Sequence, residues 1–462
     1  MNQSRLGRLG LNCWTCGLLL LGGCHESLSA PQVDVSAETN ELGQRAWPSW
    51  RGRGAQAIAH DALLPATWPS VDPVPSWQQP LGTGWSSPVV AAGRVFVTDR
   101  QGGRERLLAF DAASGKQQWV VENPVDFEPH AVGRRHGNGP KSTPVSDGER
   151  VYSLGIAGWL QCVDAQRGRR IWQRLLPADF SDQVPLPGNA AYVNGTKNVI
   201  VPTSEGQGGA VPLFGYTGSL LLAEGKLILS VGGPRGGTIM AFDPESGKVL
   251  WQALDDDVSY SSPIAAELAG VPQVVVMTGP RVVGLELNTG QLLWSHPFQI
   301  QYNESISTPA VSERAGLVLV TGDGRPLTAL HISRDGDAFS KQVAWENFDL
   351  SSYLSSMVVL GEHVYGMADD GQFACVRLAD GKTLWQGGNH GYYCSPISAG
   401  ERLLGLNEEG GLLVLAASPD AYRELGRSTL AKTQTWTMPA IVGRCVYIRS
   451  ADRLACFKLT VE

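Results

Sequence analysis

Short apolar runs broken by Gly recur along this chain in a fixed order. Each unit opens on a Ser/Thr-Pro-like step, passes through an apolar stretch, turns at Gly and continues as an alternating strand. Six units show this in full: SSPVVAAGRVFVTD, STPVSDGERVYSLG, SSPIAAELAGVPQVVVMTG, STPAVSERAGLVLVTGD, CSPISAGERLLGLNEEG and TMPAIVGRCVYIRSAD. GSLLLAEGKLILSVGG and SSMVVLGEHVYGMADDG lack the Pro and bring the number to eight. Period-two alternation bounded by Gly predicts strands. A second pattern follows the first: AFDAASGKQQW (Ala109 to Trp119), CVDAQRGRRIW (Cys162 to Trp172) and AFDPESGKVLW (Ala241 to Trp251). It returns more loosely as GLELNTGQLLW (Gly284 to Trp294) and CVRLADGKTLW (Cys375 to Trp385). A shape repeated this often is a building unit rather than a catalytic site.

Each unit maps onto a four-stranded meander. Pro is tolerated at the first residue of the inner strand, where it need not donate to the ladder. A turn at Gly93, or at Gly148, Gly225, Gly361, Gly400 and Gly443, leads to strand two, and a tight hairpin to strand three, LLAFD. The turn AASGK then leads to an outer strand expected to end at Trp119. Asp111 can bond nearby backbone N–H groups there, and Gly115 can take positive φ. Trp119, Trp172, Trp251, Trp294 and Trp385 are expected to bury their rings against the neighbouring unit. Such a sheet cannot bury both faces alone, so the units stack radially. The last unit stops after three strands without a Trp, and VPSWQQPLG (Val74 to Gly82) supplies an orphan outer strand carrying Trp77. The expectation is an all-β protein: one eight-bladed β-propeller of four-stranded antiparallel blades over residues 47–462, its ring closed by an N-terminal strand. Closure removes edges that would otherwise aggregate.

Composition agrees. Among 462 residues, 55 Gly and 14 Trp suit many short strands and turns, and the net charge of -7 comes without a basic run. That excludes a duplex-binding face, so no nucleic-acid partner is expected. Arg5 and Arg8 precede LNCWTCGLLLLGG, which is too short and too interrupted by Gly to span a bilayer. LGGC (Leu21 to Cys24) resembles a bacterial lipobox, which implies a signal peptide over 1–23, lipidation at Cys24 and a flexible tether over 24–46; the alternative is an ordinary secretory signal cut nearby, and either implies export. His25 stands where an Asp would point to the inner membrane, so the expected location is the periplasmic side of the outer membrane. Cys13 and Cys16 form a C-x-x-C inside the cleaved segment, with no following His for haem. The later thiols Cys162, Cys375, Cys394, Cys445 and Cys456 are odd in number and scattered, so no disulfide scaffold is expected. Cys162, Cys375 and Cys456 fall where Ala109 and Ala241 stand in other units and read as small packing residues.

The outer-strand repeat resembles A-x-D-x-x-T-G-x-x-x-W, the tryptophan-docking motif of the pyrroloquinoline-quinone-type (PQQ-like) propeller family. Ala109, Asp111, Gly115 and Trp119 match it, as do Asp164, Gly168 and Trp172, and Ala241, Asp243, Gly247 and Trp251. The likeness spans about residues 47–462. Family members include dehydrogenases and non-catalytic proteins, so it implies fold more than function. A quinoprotein dehydrogenase would imply PQQ over the channel, Ca²⁺ with acidic and Asn ligands, a catalytic Asp and often an adjacent Cys pair. This chain has no adjacent Cys pair, and no catalytic Asp or calcium ligand can be placed residue by residue. In lipobox and blade count it is similar in plan to the BamB-type outer-membrane assembly factors. That implies a non-catalytic, monomeric, lipid-anchored scaffold with an envelope protein partner and no cofactor or metal. A PQQ-dependent dehydrogenase and a polysaccharide- or small-molecule-binding propeller remain as alternatives.

Any site is expected on the face where outer strands lead to the next inner strand, across the long links 124–141, 177–217 and 295–306. The 177–217 link reads as an ordered lid or partner-binding loop, with a disordered loop as the alternative. Three residues before each Pro-equivalent stand Trp85, Lys141, Thr217, Tyr260, Ile306, Leu354, Tyr393 and Trp436. These either pack blade to blade or line a channel mouth able to take a flat or sugar-like ligand. RRHGNGPK sets Arg134, Arg135 and His136 near Lys141 as a candidate anion site, with plain solvated charge as the alternative. Asp255, Asp256 and Asp257 read as solvated charge. GGPRGG (Gly232 to Gly237) lacks the Lys-Ser/Thr of a phosphate loop and reads as a hairpin turn.

Overall fold

A computed structural model describes residues 46–129, 131–176, 198–201, 209–212, 214–232, 237–301 and 304–459. Eight four-stranded antiparallel sheets form a β-propeller. Blade 1 is Val89–Ala91, Arg94–Gln101, Arg104–Asp111 and Gln117–Pro124, from the channel outward. Blades 2 to 7 repeat this order over 145–175, 221–253, 264–297, 310–347, 358–387 and 396–429. Blade 8 joins Ala440–Val442, Cys445–Arg449 and Arg453–Lys458 to the N-terminal strand Trp77–Pro80, with Trp77 opposite Cys456. Within the 177–217 link, Asn198–Val201 pairs with Gly209–Pro212, and the rest up to residue 208 lies outside the described residues.

The outer strand of blade 1 does not end at Trp119. It continues to Pro124, because the third strand begins as early as Arg104 and stays paired with it. A small residue faces each Trp in register: Ala109, Cys162, Ala241, Gly284, Ala329 and Cys375. This explains the thiols, which give an indole room to lie across the strand.

The indole then reaches the next blade. Nε1 of Trp77, Trp119, Trp172 and Trp251 donates to the carbonyls of Ala112, Ala165, Pro244 and Leu287 at 3.0, 3.1, 2.8 and 3.1 Å. Each ring lies on the turn glycine of that next blade. A Cβ on Gly115 or Gly168 would come within 2.4 or 2.6 Å of the ring, and both glycines have φ near +70°. Close approach and backbone conformation therefore both demand Gly.

Two blades break the pattern. Blade 5 replaces the tight turn with a long hairpin, Arg325–Asp335 against Ala338–Asn347. Gly336 sits at the far tip of that hairpin, out of reach of Trp294, which is buried in one cluster with Val318, Val320 and Leu330 of blade 5 as expected but donates its Nε1 to Gln273 of its own blade at 2.7 Å. The docking residue of blade 5 is Trp345, bonded to the Leu378 carbonyl at 2.7 Å and seated on Gly381. In blade 7 the Trp position is Gly426, opposite Val414. Trp68, from the segment before the ring-closing strand, covers it: a Cβ on Gly426 would lie 2.4 Å from the indole, whose Nε1 donates to Ser428 at 2.9 Å.

Around the channel, hydroxyls tie blade to blade. The backbone N–H of Ser87, Thr143 and Ser219 donates to the side chains of Thr143, Ser219 and Ser262 at 3.0, 3.1 and 2.9 Å. Thr308, Ser356 and Met438 donate likewise to Ser356, Ser395 and Ser87, each at 3.0 Å. The recurring Ser/Thr of the Ser/Thr-Pro step is thus an acceptor for the preceding blade. At the closing seam, Arg449 of blade 8 is fully buried and donates to Ser86, Thr98 and Gly82 of blade 1 and the residues leading to it.

The segment before the ring crosses the channel. Trp47 bridges Val90 of blade 1, Ser146 of blade 2 donates to the Pro48 carbonyl, and Trp50 reaches Thr308 of blade 5. Arg51 donates to the Met357 carbonyl of blade 6, Ala55 packs among Ile264 and Ala266 of blade 4, and Ile58 bridges Ser398 of blade 7. Contact with so many inner strands requires the strap to lie over the end of the channel opposite the links. Its turns are tight: Arg51, Ala55 and Ala57 take φ of 63°, 56° and 59°, a region costly to non-Gly residues.

Since Trp68 fills a core position from a distant part of the chain, Trp68→Ala is expected to cost roughly 3–5 kcal/mol, as much as Trp119→Ala. Equilibrium denaturation of the two variants checks this; a Trp68→Ala melt equal to wild type would contradict it.

Candidate functional site

On the link face the channel opens into a cup of about 200 Å³. All eight mouth positions line it: Trp85, Lys141, Thr217, Tyr260, Ile306, Leu354, Tyr393 and Trp436. Arg135 and His136 line it too, whereas Arg134 is exposed outside its wall. Trp50 contributes from the strap, so the cup is blind. Sequence reasoning missed Trp50, Phe214, Glu304 and Tyr353. Phe214 and Glu304 lie in two of the long links, but nothing in their local pattern shows which link residues turn inward.

The rings form a chain. Trp85 and Trp436 are 5.2 Å apart between centroids, Trp436 and His136 5.0 Å, His136 and Phe214 5.9 Å, and Phe214 and Tyr260 5.2 Å. The last two contacts are edge-on, an arrangement the ring quadrupoles favour. Trp85 Nε1 donates to the His136 carbonyl at 3.0 Å, which fixes the RRH turn against the wall. Tyr393 is buried, at 7% exposure, and its N–H donates to Glu408 at 2.8 Å. Its neighbour Tyr392 is 56% exposed.

Charge in the wall is sparse and interlocked. His136 Nε2 accepts from Arg135 Nε at 3.0 Å, and burial, with Arg135 and Lys141 nearby, pushes its pKa down to about 4, so the ring is neutral at pH 7. Lys141 Nζ donates to the carbonyls of Phe214 and Gly137 at 3.3 and 3.5 Å; burial lowers it to about 8, while Glu105 holds it up. Behind the wall, burial raises Glu105 to about 7, against the Ile156 N–H at 2.6 Å and the charges of Arg100 and Lys141. Glu304 accepts from the Tyr353 hydroxyl at 2.7 Å and is the one carboxylate lining the cup among the described residues.

Other sequence readings fall elsewhere. Asp256 is not merely solvated charge: it pairs with Arg281 at 2.8 and 3.0 Å and accepts from Thr278 at 2.8 Å, pinning a turn of blade 4. Cys24, the leader and residues 233–236 of GGPRGG lie outside the described residues. Among the described residues no group of three or more His, Cys, Asp or Glu could hold a metal ion.

The ring and its docking rule define a tryptophan-docking propeller of the PQQ-like repeat class. Within that class, the chain belongs to the family described as outer membrane protein assembly factor BamB, whose profile matches residues 74–132 and 126–387. It is 24% identical over 344 residues to outer membrane protein assembly factor BamB of Burkholderia pseudomallei (strain K96243), covering 58% of this chain and 82% of that protein. It is 20% identical over 370 residues to the protein of the same name from Shewanella oneidensis, covering 68% and 91%. The crystal structure of BamB from Moraxella catarrhalis superposes with a TM-score of 0.56 at 16% identity, covering 84% of this chain and 99% of that one. At that identity the likeness concerns the fold.

Glu105 gives the site a pH signature. Its native pKa lies above the unfolded value of 4.5. The native state therefore binds more protons between about pH 4.5 and 7, and stability falls as pH rises through that window. The loss should approach about 3 kcal/mol by pH 8. Glu105→Gln should flatten this slope; melts at pH 5, 6 and 7 that keep the wild-type trend would contradict it.

Proposed function

We propose that this protein is a non-catalytic binding propeller serving outer-membrane protein assembly. It is anchored through a lipid on Cys24 at the periplasmic side of the outer membrane and engages an envelope protein partner with its link face. Membership of the BamB family supports this, as do relatives of that name matched over most of their own length. The observation that carries it is the makeup of the link face. Exposed Arg134, Arg135 and Tyr392 belong to links that differ from blade to blade, whereas the Trp residues are committed to docking.

The residues at the channel mouth do not fit the Ca²⁺ that the resemblance to quinoprotein dehydrogenases implies. Calcium takes about six to eight oxygen ligands. The cup offers one carboxylate among the described residues, Glu304, already bonded to Tyr353, alongside rings and neutral Ser/Thr hydroxyls.

Photo-crosslinking from the Tyr392 position in the native lipoprotein should capture a component of the outer-membrane assembly machinery. Arg134→Ala with Arg135→Ala should weaken capture roughly tenfold while leaving the melt unchanged. Cys24→Ser should release the protein from membranes. Undiminished capture, or undiminished membrane association, would count against the respective part. Substrate-dependent dye reduction by purified protein with quinone, Ca²⁺ and an alcohol panel would overturn the non-catalytic reading.

A further inference from the structure

The cup combines features that partner docking at the rim leaves unused. It is blind, because the strap fills the far end of the channel and Trp50 lines it from that side. At about 200 Å³ it is smaller than the ~300–1,000 Å³ of a drug-sized pocket, so it has room for one small ring. Its lining alternates aromatic faces and edges with polar groups: Trp85, Tyr260, Phe214 and Trp436 stand beside the Lys141 ammonium and the Glu304 carboxylate.

That mixture selects the occupant. A hydrocarbon ring, such as an aromatic side chain of a partner, would cover Lys141 and Glu304 without adding a bond to either. A polyhydroxylated six-membered ring does not have this defect. Its C–H face covers indole and phenol surface, while its hydroxyls donate to a carboxylate and accept from an ammonium at the edge. The ionic balance sharpens the choice. Arg135 and Lys141 are two cations against the single carboxylate Glu304 among the lining residues, so a negative substituent on the ring gains a charge-assisted bond and a positive one meets repulsion.

We infer that the cup is a binding site for a pyranose ring bearing a carboxylate, either as a free uronic acid or as the terminal residue of an acidic glycan. This goes beyond the assembly role, since it concerns the blind cup, which shares Arg135 with the exposed link face. Trp436, Tyr260 and Trp85 form the stacking wall, and Lys141 with Arg135 receives the carboxylate.

The test is a titration of the purified full-length chain at pH 7, followed by tryptophan fluorescence and calorimetry, with no partner present. The probes are glucuronate, glucose, glucosamine, tetragalacturonate and N-acetylphenylalanine amide. Glucuronate should give a saturable response below about 10 mM, roughly tenfold tighter than glucose, with glucosamine weakest. A much tighter response to tetragalacturonate assigns the site to a glycan end; equal affinity assigns it to the free acid. Trp436→Ala and Lys141→Met should each weaken glucuronate by about tenfold or more. Saturation-transfer NMR on the unmodified protein needs no variant and should place the ring C–H protons of glucuronate in contact with the wall. No saturable sugar response and no saturation transfer would overturn the inference, as would binding of the phenylalanine amide in preference to every sugar. Because no partner is present, either result stands apart from the crosslinking experiment.

Discussion

An indole laid on a glycine turn holds this ring together. A four-stranded sheet with two apolar faces gains nothing by standing alone, and here most outer strands end their isolation by passing a Trp to a turn of the next blade. The contact is a hydrogen bond to a turn carbonyl plus close packing on a residue without a Cβ. It fixes distance and orientation together, and the small residue opposite each Trp follows from it. Nearer the axis, the hydroxyl of each Ser/Thr-Pro step makes the matching tie. With both outer and inner edges bonded to the neighbour, the blades hold the channel mouth at a fixed width, and the eight mouth residues meet in one cup.

The exceptions show that the constraint is physical. Where the long hairpin of blade 5 carries its turn glycine out of reach, Trp294 finds an acceptor in its own blade. Where blade 7 lacks a Trp, Gly426 leaves a groove and Trp68 fills it from a segment that precedes the ring. The surface is covered whichever part of the chain supplies the indole. The seam between blades 8 and 1 is reinforced further by buried Arg449 and by Trp77 and Tyr447, which share the Ala112 carbonyl.

Blade number, strand order and ring closure were legible in the sequence because they rest on local periodicity and on turn residues with strict backbone needs. So were the eight mouth positions, which are offsets from the repeated Pro step. The failures have a common cause. Trp345 was hidden because a long hairpin displaced the D-x-x-x-G spacing that marks the other docking residues. Trp68 was invisible because its partner, Gly426, is far away in sequence and unremarkable by itself. Phe214, Glu304 and Tyr353 enter the cup through links whose paths no periodicity encodes. The strap was counted within the propeller, but its passage across the channel depends on contacts with seven blades, and no local pattern announces that.

That passage has a consequence for how the molecule comes into being. Residues 47–80 leave the ribosome before any blade, yet their partners are spread from Val90 to Cys456. The strand Trp77–Pro80 has no strand to pair with until Arg453–Lys458 exists, and Leu63 waits for Gly443. Contacts this distant in sequence form late, after the loops they close have collapsed. A segment made before every blade is thus the last to settle, and its strained backbone at Arg51, Ala55 and Ala57 is held by contacts around the finished ring. Synthesis and consolidation run in opposite directions along this chain. A nascent copy therefore stays unlocked until its final blade is available.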